Sequence, residues 1–188
     1  MLSASDPIDW MPQRILVAGV AGSGKTTLAR RIEAITGLPH TEIDGLYHGP
    51  NWVPRESFEA EVESFTAEPR WVTEWQYRSV RQLLAKRADT LVWMDFPPRT
   101  TLFRVTRRTL RRRLTREELW NGNREGPLWT FFTDPNHIVR WSIRTRSKYR
   151  LLFGDVETEH PHLHVVRLRS QRAVDRWLEQ LRVRYDAN

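Results

Sequence analysis

The 188-residue chain has no cysteine, which excludes disulfides, thiolate metal sites and a cysteine nucleophile. Lysine is scarce: Lys25, Lys86 and Lys148 are the only three among 30 basic residues. No apolar run approaches the roughly 20 residues that span a bilayer. Met1 to Gln13 lacks the basic start and apolar segment of a secretory signal, so a soluble cytoplasmic protein is the expectation. Internal repeats and low-complexity stretches are missing too. His160, His162 and His164 alternate on one face of a predicted strand, without the helical H-E-x-x-H spacing of a metal site.

Arginine supplies the rest of the positive charge. Thirty basic against 23 acidic residues give a net charge of +7. The guanidinium fork suits phosphate and carboxylate. A basic surplus of this kind fits an anionic partner, either a phosphorylated small molecule or nucleic acid. The hydrophobic fraction of 39% and charged fraction of 28% are those of an ordinary globular chain.

Strand and helix patterns alternate from end to end. Arg14–Val20 (RILVAGV) reads as a buried strand, and Lys25–Thr36 as a helix with Leu28, Ile32 and Ile35 on one face and Gly37 at its C-cap. Further strands are expected over residues 39–44, 70–75, 90–95 and 162–168. Residues 45–54 read as a loop. Helices are expected over residues 55–67, 79–88, 99–116 and about 137–153. The final helix places Val174, Trp177, Leu178, Leu181 and Tyr185 on one face. The pattern predicts an α/β fold with a mainly parallel sheet covered on both faces, and a ligand at the C-terminal strand edge.

Gly19-Val20-Ala21-Gly22-Ser23-Gly24-Lys25-Thr26 matches G-x-x-x-x-G-K-[ST] at every fixed position, after a strand and before a helix. Glycines let successive N–H groups turn inward onto phosphate oxygens, and the helix N-terminus adds its own donors. This assigns Gly19, Ala21, Gly22, Ser23, Gly24, Lys25, Thr26 and Thr27 to nucleotide binding. Lys25 sits at the β- and γ-phosphates and Thr26 offers a hydroxyl to Mg²⁺.

Phosphoryl transfer also needs carboxylates. Asp44 closes the second predicted strand and ranks first as the acceptor-side carboxylate, with an Asx turn as the alternative. Glu74, near the end of the third, ranks as a magnesium-water ligand, with a solvated strand end as the alternative. Asp95 reads mainly as a helix N-cap. On a helical wheel Arg104, Arg107, Arg108 and Arg111 fall within roughly a 100° arc. Leu102, Val105, Thr106, Thr109 and Leu110 are expected on the underside. The arginine face is either a phosphate clamp, a solvated basic face or a nucleic-acid stripe. Leu119 to Pro127 (LWNGNREGP) has the composition of a closure segment that delivers Arg124. Arg140 and Arg144, one turn apart on the next predicted helix, can face one anion. Trp52, Trp75, Tyr77 and Trp120 are rim aromatics that either stack on a base or pack.

RILVAGVAGSGKTTLARRI, TEIDGLYHGPNWVPR, WVTEWQYRS, TLVWMDFPP and ELWNGNRE together resemble the small adenylate-kinase-related P-loop proteins labelled DNA topology modulation proteins, of the FlaR type. More distantly the chain resembles nucleoside monophosphate kinases and shikimate kinase. The resemblance covers residues 14–183. It implies one P-loop kinase-like domain over residues 1–188, a three-layer sandwich with a five-stranded parallel sheet of order 2-3-1-4-5. It also implies an acceptor-binding helical region near residues 45–69 and a lid near 112–136. ATP and Mg²⁺ are implied at Gly19–Thr26, with catalysis by Lys25, Asp44, Glu74, Arg107 and Arg111. Arg108 and Arg112 would join the phosphate contacts, and Arg169 and Gln171 the loop near the adenine. Asp44, Trp52, Arg55, Gln76, Tyr77, Arg140 and Arg144 would face a nucleotide- or nucleoside-like acceptor. Relatives often carry Asp-Gly-Asn-Tyr where this chain has Glu74-Trp75-Gln76-Tyr77. A nucleic-acid-associated regulator without small-molecule kinase activity is the alternative function.

Overall fold

In the computed structural model, residues 1–115, 117–123, 153 and 155–187 are described. The central strand β2 (Arg14–Ala18) is buried over its last four residues. A strand covered on both faces needs a continuous apolar run, and RILVA supplies one. On one side β2 pairs in parallel with β4 (Trp71–Glu74), which pairs with β3 (His40–Thr41). On the other side it pairs with β5 (Thr90–Met94), followed by β6 (His164–Leu168) and β1 (Leu2–Ser3). All pairs are parallel.

The sheet therefore has six strands, not five, in the order β1-β6-β5-β2-β4-β3: the expected count is corrected, and the expected order of five is extended by an edge strand beside β6. The added member is Leu2–Ser3, set against Val166 and Arg167. Trp10 secures this N-terminal segment: its ring stacks on His164 at 4.0 Å and its Nε1 donates to Thr90 Oγ1 over 2.9 Å.

Successive residues of a strand point to opposite faces. Ile15 and Val17 join Val72 and Val92 beneath Leu28 and Ile32 of α1 (Lys25–Thr36) and Trp177 and Leu181 of α6 (Gln171–Asp186). Leu16, Ala18 and Leu91 join Val62 of α3 (Phe58–Thr66) and Leu84 of α4 (Arg81–Arg87) on the other face. Three layers result. Gly37 ends α1 in the left-handed region, its N–H bonded to Glu33 O, and Ser170 caps α6 by accepting from the Ala173 N–H.

Four local readings change. Residues 39–44 are a strand only over His40–Thr41, because Ile43–Tyr47 turns into the short helix α2. The expected loop 45–54 thus holds the end of α2 and a 3-10 turn, Pro50–Trp52. The third concerns α5 (Pro98–Thr115), which buries Thr101, Val105 and Thr109. Of the expected underside, Val105 and Thr109 are buried, but Leu102, Thr106 and Leu110 lie exposed with Phe103 and Leu114 and are corrected. β6 begins at His164, so His160 and His162 precede the strand rather than sharing its face. The expected helix over 137–153 lies outside the described residues except for Phe153, and so does most of the lid region.

Candidate active site

The loop Gly19–Gly24 leaves the C-terminal end of β2 and enters α1. Gly22 has φ 79°, and a Cβ there would lie 2.3 Å from Thr101 O, so only glycine lets α5 approach this closely. A Cβ on Gly19 would sit 2.6 Å from Ser23 Oγ. Gly24 caps α1 with φ 98°, no side chain caps the helix, and its first turn holds no acidic residue. The helix N-terminus thus keeps its orphan donors and partial positive charge for a ligand. Among the described residues the fully buried Ser23 Oγ has no hydrogen-bond partner.

Lys25 folds back along the loop, its Nζ donating to Gly19 O over 3.0 Å. Burial pushes its pKa below the ordinary lysine value. The charges of Asp44 and Glu74 oppose that shift and Arg108 adds to it. Two carboxylates and an arginine therefore act on one ammonium.

Glu74 is 1% exposed at the end of β4. Its Oε2 accepts the Ile43 N–H over 3.2 Å and its Oε1 lies 3.3 Å from His40 Nε2. Burial raises its pKa, but bonds from His40, Ile43 and the Thr26 hydroxyl outweigh that and hold it below the ordinary carboxylate value. Thr26 and Glu74 together offer hard oxygen donors, the set that Mg²⁺ takes. His40, Ile43 and Thr26 take three of its roughly four lone-pair sites, so the carboxylate could still accept from a metal-bound water.

Asp44 lies in the first turn of α2 rather than at a strand end. Its Oδ1 accepts from Tyr77 Oη over 2.6 Å and from Gln76 Nε2 over 3.1 Å. Among the described residues no group bonds Oδ2. Tyr77 Oη also lies 3.2 Å from His48 Nε2, and burial lowers the His48 pKa. His40 and His48 have no motif in the sequence; they are found only by the elements that bring them under Glu74 and Tyr77.

The other expected site residues divide. Arg104 and Arg108 line a cleft of about 370 Å³ beside the loop, with Thr27 and Gln171. Arg104 donates to Ser23 O over 3.4 Å and to Gln171 Oε1 over 3.3 Å. Arg107 and Arg111 are exposed, and Arg111 pairs with Glu117 at 2.8 Å. Arg112 pairs with the same glutamate at 3.3 Å and lies over Trp120. Arg169 is exposed. Arg55 grips Glu61 through both guanidinium nitrogens, at 2.5 and 3.1 Å. Trp52 lies on the rim, edge-on to His48 and Trp120. Trp75 is core, 2% exposed. Asp95 is not a helix cap: Arg167 donates to its Oδ2. Arg124, Arg140 and Arg144 lie outside the described residues. Residues 119–123, expected as part of a closure segment, form a 3-10 turn docked on residues 45–52.

Solved structures with the same architecture include a gluconokinase from Sinorhizobium meliloti 1021, 18% identical, with a TM-score of 0.50 and 94% of this chain matched to 95% of that one. A shikimate kinase from Bacteroides thetaiotaomicron is 14% identical, also at a TM-score of 0.50, with 93% and 98% matched. The chain shares with these kinases an α/β fold of a parallel sheet flanked by helices. No family profile matches the chain. No curated protein matches it in sequence. At these identities the P-loop kinase likeness is one of fold, and the chemistry has to be argued from the residues. No helix among the described residues is long and apolar enough to cross a membrane.

Proposed function

We propose that the chain is a Mg²⁺-dependent kinase that moves the γ-phosphoryl group of ATP to a hydroxyl of a small nucleotide- or nucleoside-like acceptor. One observation carries the reading. Lys25 is bound to the carbonyl of its own loop, and the charges of Asp44 and Glu74 both act on it. In this reading Lys25 serves the phosphates, Glu74 a metal-bound water and Asp44 the acceptor. The two fold relatives named above are themselves kinases, which agrees with the reading.

In this reading the acceptor oxygen bonds to the γ-phosphorus as the bond to the β–γ bridging oxygen breaks, and ADP leaves. Mg²⁺, when bound, would supply positive charge to the phosphates. Thr26 and Glu74 would hold it. Asp44 would orient the attacking hydroxyl through its open Oδ2 and take the proton. Lys25, Arg104 and Arg108 would neutralise the charge on the transferring group, the dominant contribution in such sites.

The test is ADP release from MgATP across a panel of nucleosides, nucleotides and small hydroxy acids. At least one compound is expected to raise ADP above the hydrolysis baseline, and chelating Mg²⁺ is expected to abolish the rise. No stimulation by any compound would overturn the kinase reading.

A further inference from the structure

The turn after α5 stands out in the sequence, yet phosphoryl transfer as argued above makes no use of it. It is a built object. Asn121 and Gly122 take positive φ, 56° and 79°, and the Leu119 N–H closes the turn onto Asn123 O over 2.7 Å. Asn121 Nδ2 donates to the carbonyls of Gly45 and His48. Asn123 is 5% exposed and spends its whole amide. Its Nδ2 donates to Gly49 O and Trp120 O, each over 2.8 Å, and its Oδ1 accepts the Trp52 N–H over 2.9 Å. The Trp120 ring faces His48 at 6.0 Å and 25°. A Cβ on Gly45 would come within 3.1 Å of Trp120 Cδ1, so the glycine makes room for the indole.

These contacts fall on the chain directly after Asp44. Helix α2 has five residues, far fewer than a helix needs to persist alone. Its last carbonyls are acceptors without intrahelical partners. Asn121 and Asn123 satisfy carbonyls at 45, 48 and 49, and the one Asn123 amide both donates to Gly49 O and accepts from the Trp52 N–H.

We propose that Trp120, Asn121 and Asn123 are positioning residues for the acceptor site. They hold α2 and the following turn, and with them Asp44 and its His48 and Tyr77 supports, against the end of the helix whose Arg104 and Arg108 line the nucleotide cleft. The inference rests on the proposed kinase reading only in naming Asp44 as the acceptor-side carboxylate.

The experiment is amide hydrogen exchange on the full chain, comparing wild type with Asn123→Asp and Asn121→Ala. Asn123→Asp keeps the acceptor for Trp52 but turns an oxygen toward two carbonyls. Exchange at His48, Gly49, Trp52 and Val53 is expected to rise about tenfold or more, with a smaller rise in Asn121→Ala. Amides of β2, β5 and α1 should not change, and MgADP affinity by dialysis should stay within about twofold. Unchanged exchange over residues 48–55, a rise spread evenly across the sheet, or a parallel loss of MgADP binding would each overturn the proposal. Asn121 is exposed, so its alanine variant serves should Asn123→Asp fail to fold. With a panel compound that wild type phosphorylates, the variants should raise the acceptor KM about fivefold or more and leave the ATP KM unchanged. If wild type phosphorylates none, the kinase reading falls while the exchange result still decides the clamp.

Discussion

Tyr77 donates its phenolic hydrogen to Asp44 Oδ1 over 2.6 Å from a backbone with φ 56°. Bulky residues rarely take that conformation, and they hold it only when the surroundings over-determine it. Here they do: the ring stacks on Tyr47 at 3.9 Å and meets Phe58 edge-on at 5.2 Å. Burial and the neighbouring Asp44 push the phenol pKa far up, so Tyr77 stays a donor throughout the working pH range.

Tyr77→Phe keeps the stack and the shape and removes one bond. Stability should fall by about 0.5–1.5 kcal/mol, the net worth of one hydrogen bond. Phosphoryl transfer should slow about tenfold through loss of Asp44 orientation, with nucleotide affinity unchanged. Denaturant unfolding and nucleotide titration check the two halves separately. An undiminished transfer rate would show that Asp44 does not depend on Tyr77.

Lys25→Ala should abolish turnover and weaken triphosphate binding without unfolding the chain. The ammonium is already destabilised by burial, so its removal costs the apo fold little. The melting temperature should stay level or rise slightly, while the shift produced by MgATP disappears. Undiminished nucleotide binding and turnover would count against the whole site.

Gly22→Ala and Gly37→Ala form a matched pair. Both glycines have positive φ, 79° and 66°. At Gly22 the new methyl meets Thr101 O at 2.3 Å and Val105 Cβ at 3.0 Å, whereas at Gly37 nothing lies within 4 Å. Gly37→Ala should cost about 1 kcal/mol for backbone strain alone. Gly22→Ala should cost about 2 kcal/mol or more and also loosen α5 from the loop. Equal costs at the two positions would refute the close approach of α5.

That close approach explains what the sequence hid. The phosphate loop was legible because its backbone excludes side chains at fixed spacings, and α6 because its apolar positions keep a helical period. Helix α5 was legible in part. Val105 and Thr109 face inward as expected and Thr101 joins them, with Thr101 and Val105 set against Gly22, while larger Leu102 and Leu110 face solvent. Residue size at a tight contact overrode hydrophobicity. Leu2–Ser3 is two residues long and has no period to read. The five-residue helix Ile43–Tyr47 is too short to show a period, and it docks on the turn at 120–123, a contact across more than 70 residues that no local window holds. Glu74 and Asp44 were legible as acids near a strand edge, but not their partners His40 and His48.

Glu74 makes stability depend on pH in one direction. Its folded pKa lies below the ordinary glutamate value of 4.5, so the unfolded chain binds its proton first as pH falls. The stabilisation is complete above about pH 4.5 and is lost as pH falls through the lower folded value. Glu74→Gln should be less stable at pH 7, and the gap from wild type should close in acid. Urea midpoints measured from about pH 7 to about pH 3 without Mg²⁺ test this. A gap that stays constant across the range would show that the carboxylate charge contributes nothing.

Arg108 and Lys25 are like charges held close enough for one to lower the pKa of the other. Such a pair destabilises the empty site and favours an anion bound between them. Arg108→Ala should therefore leave the apo melting temperature level or raised, and weaken MgATP binding about tenfold or more. Arg104→Ala should act in the same direction, since that side chain lines the same cleft and reaches Ser23 O. Arg107→Ala is the control: the same helix and the same charge change, but an exposed position outside the cleft. Its effect on MgATP affinity should stay within about twofold at moderate salt, where exposed charges are screened. Equal losses from Arg107→Ala and Arg108→Ala would mean that the basic helix acts through its overall field and not through the face that α5 turns toward the loop.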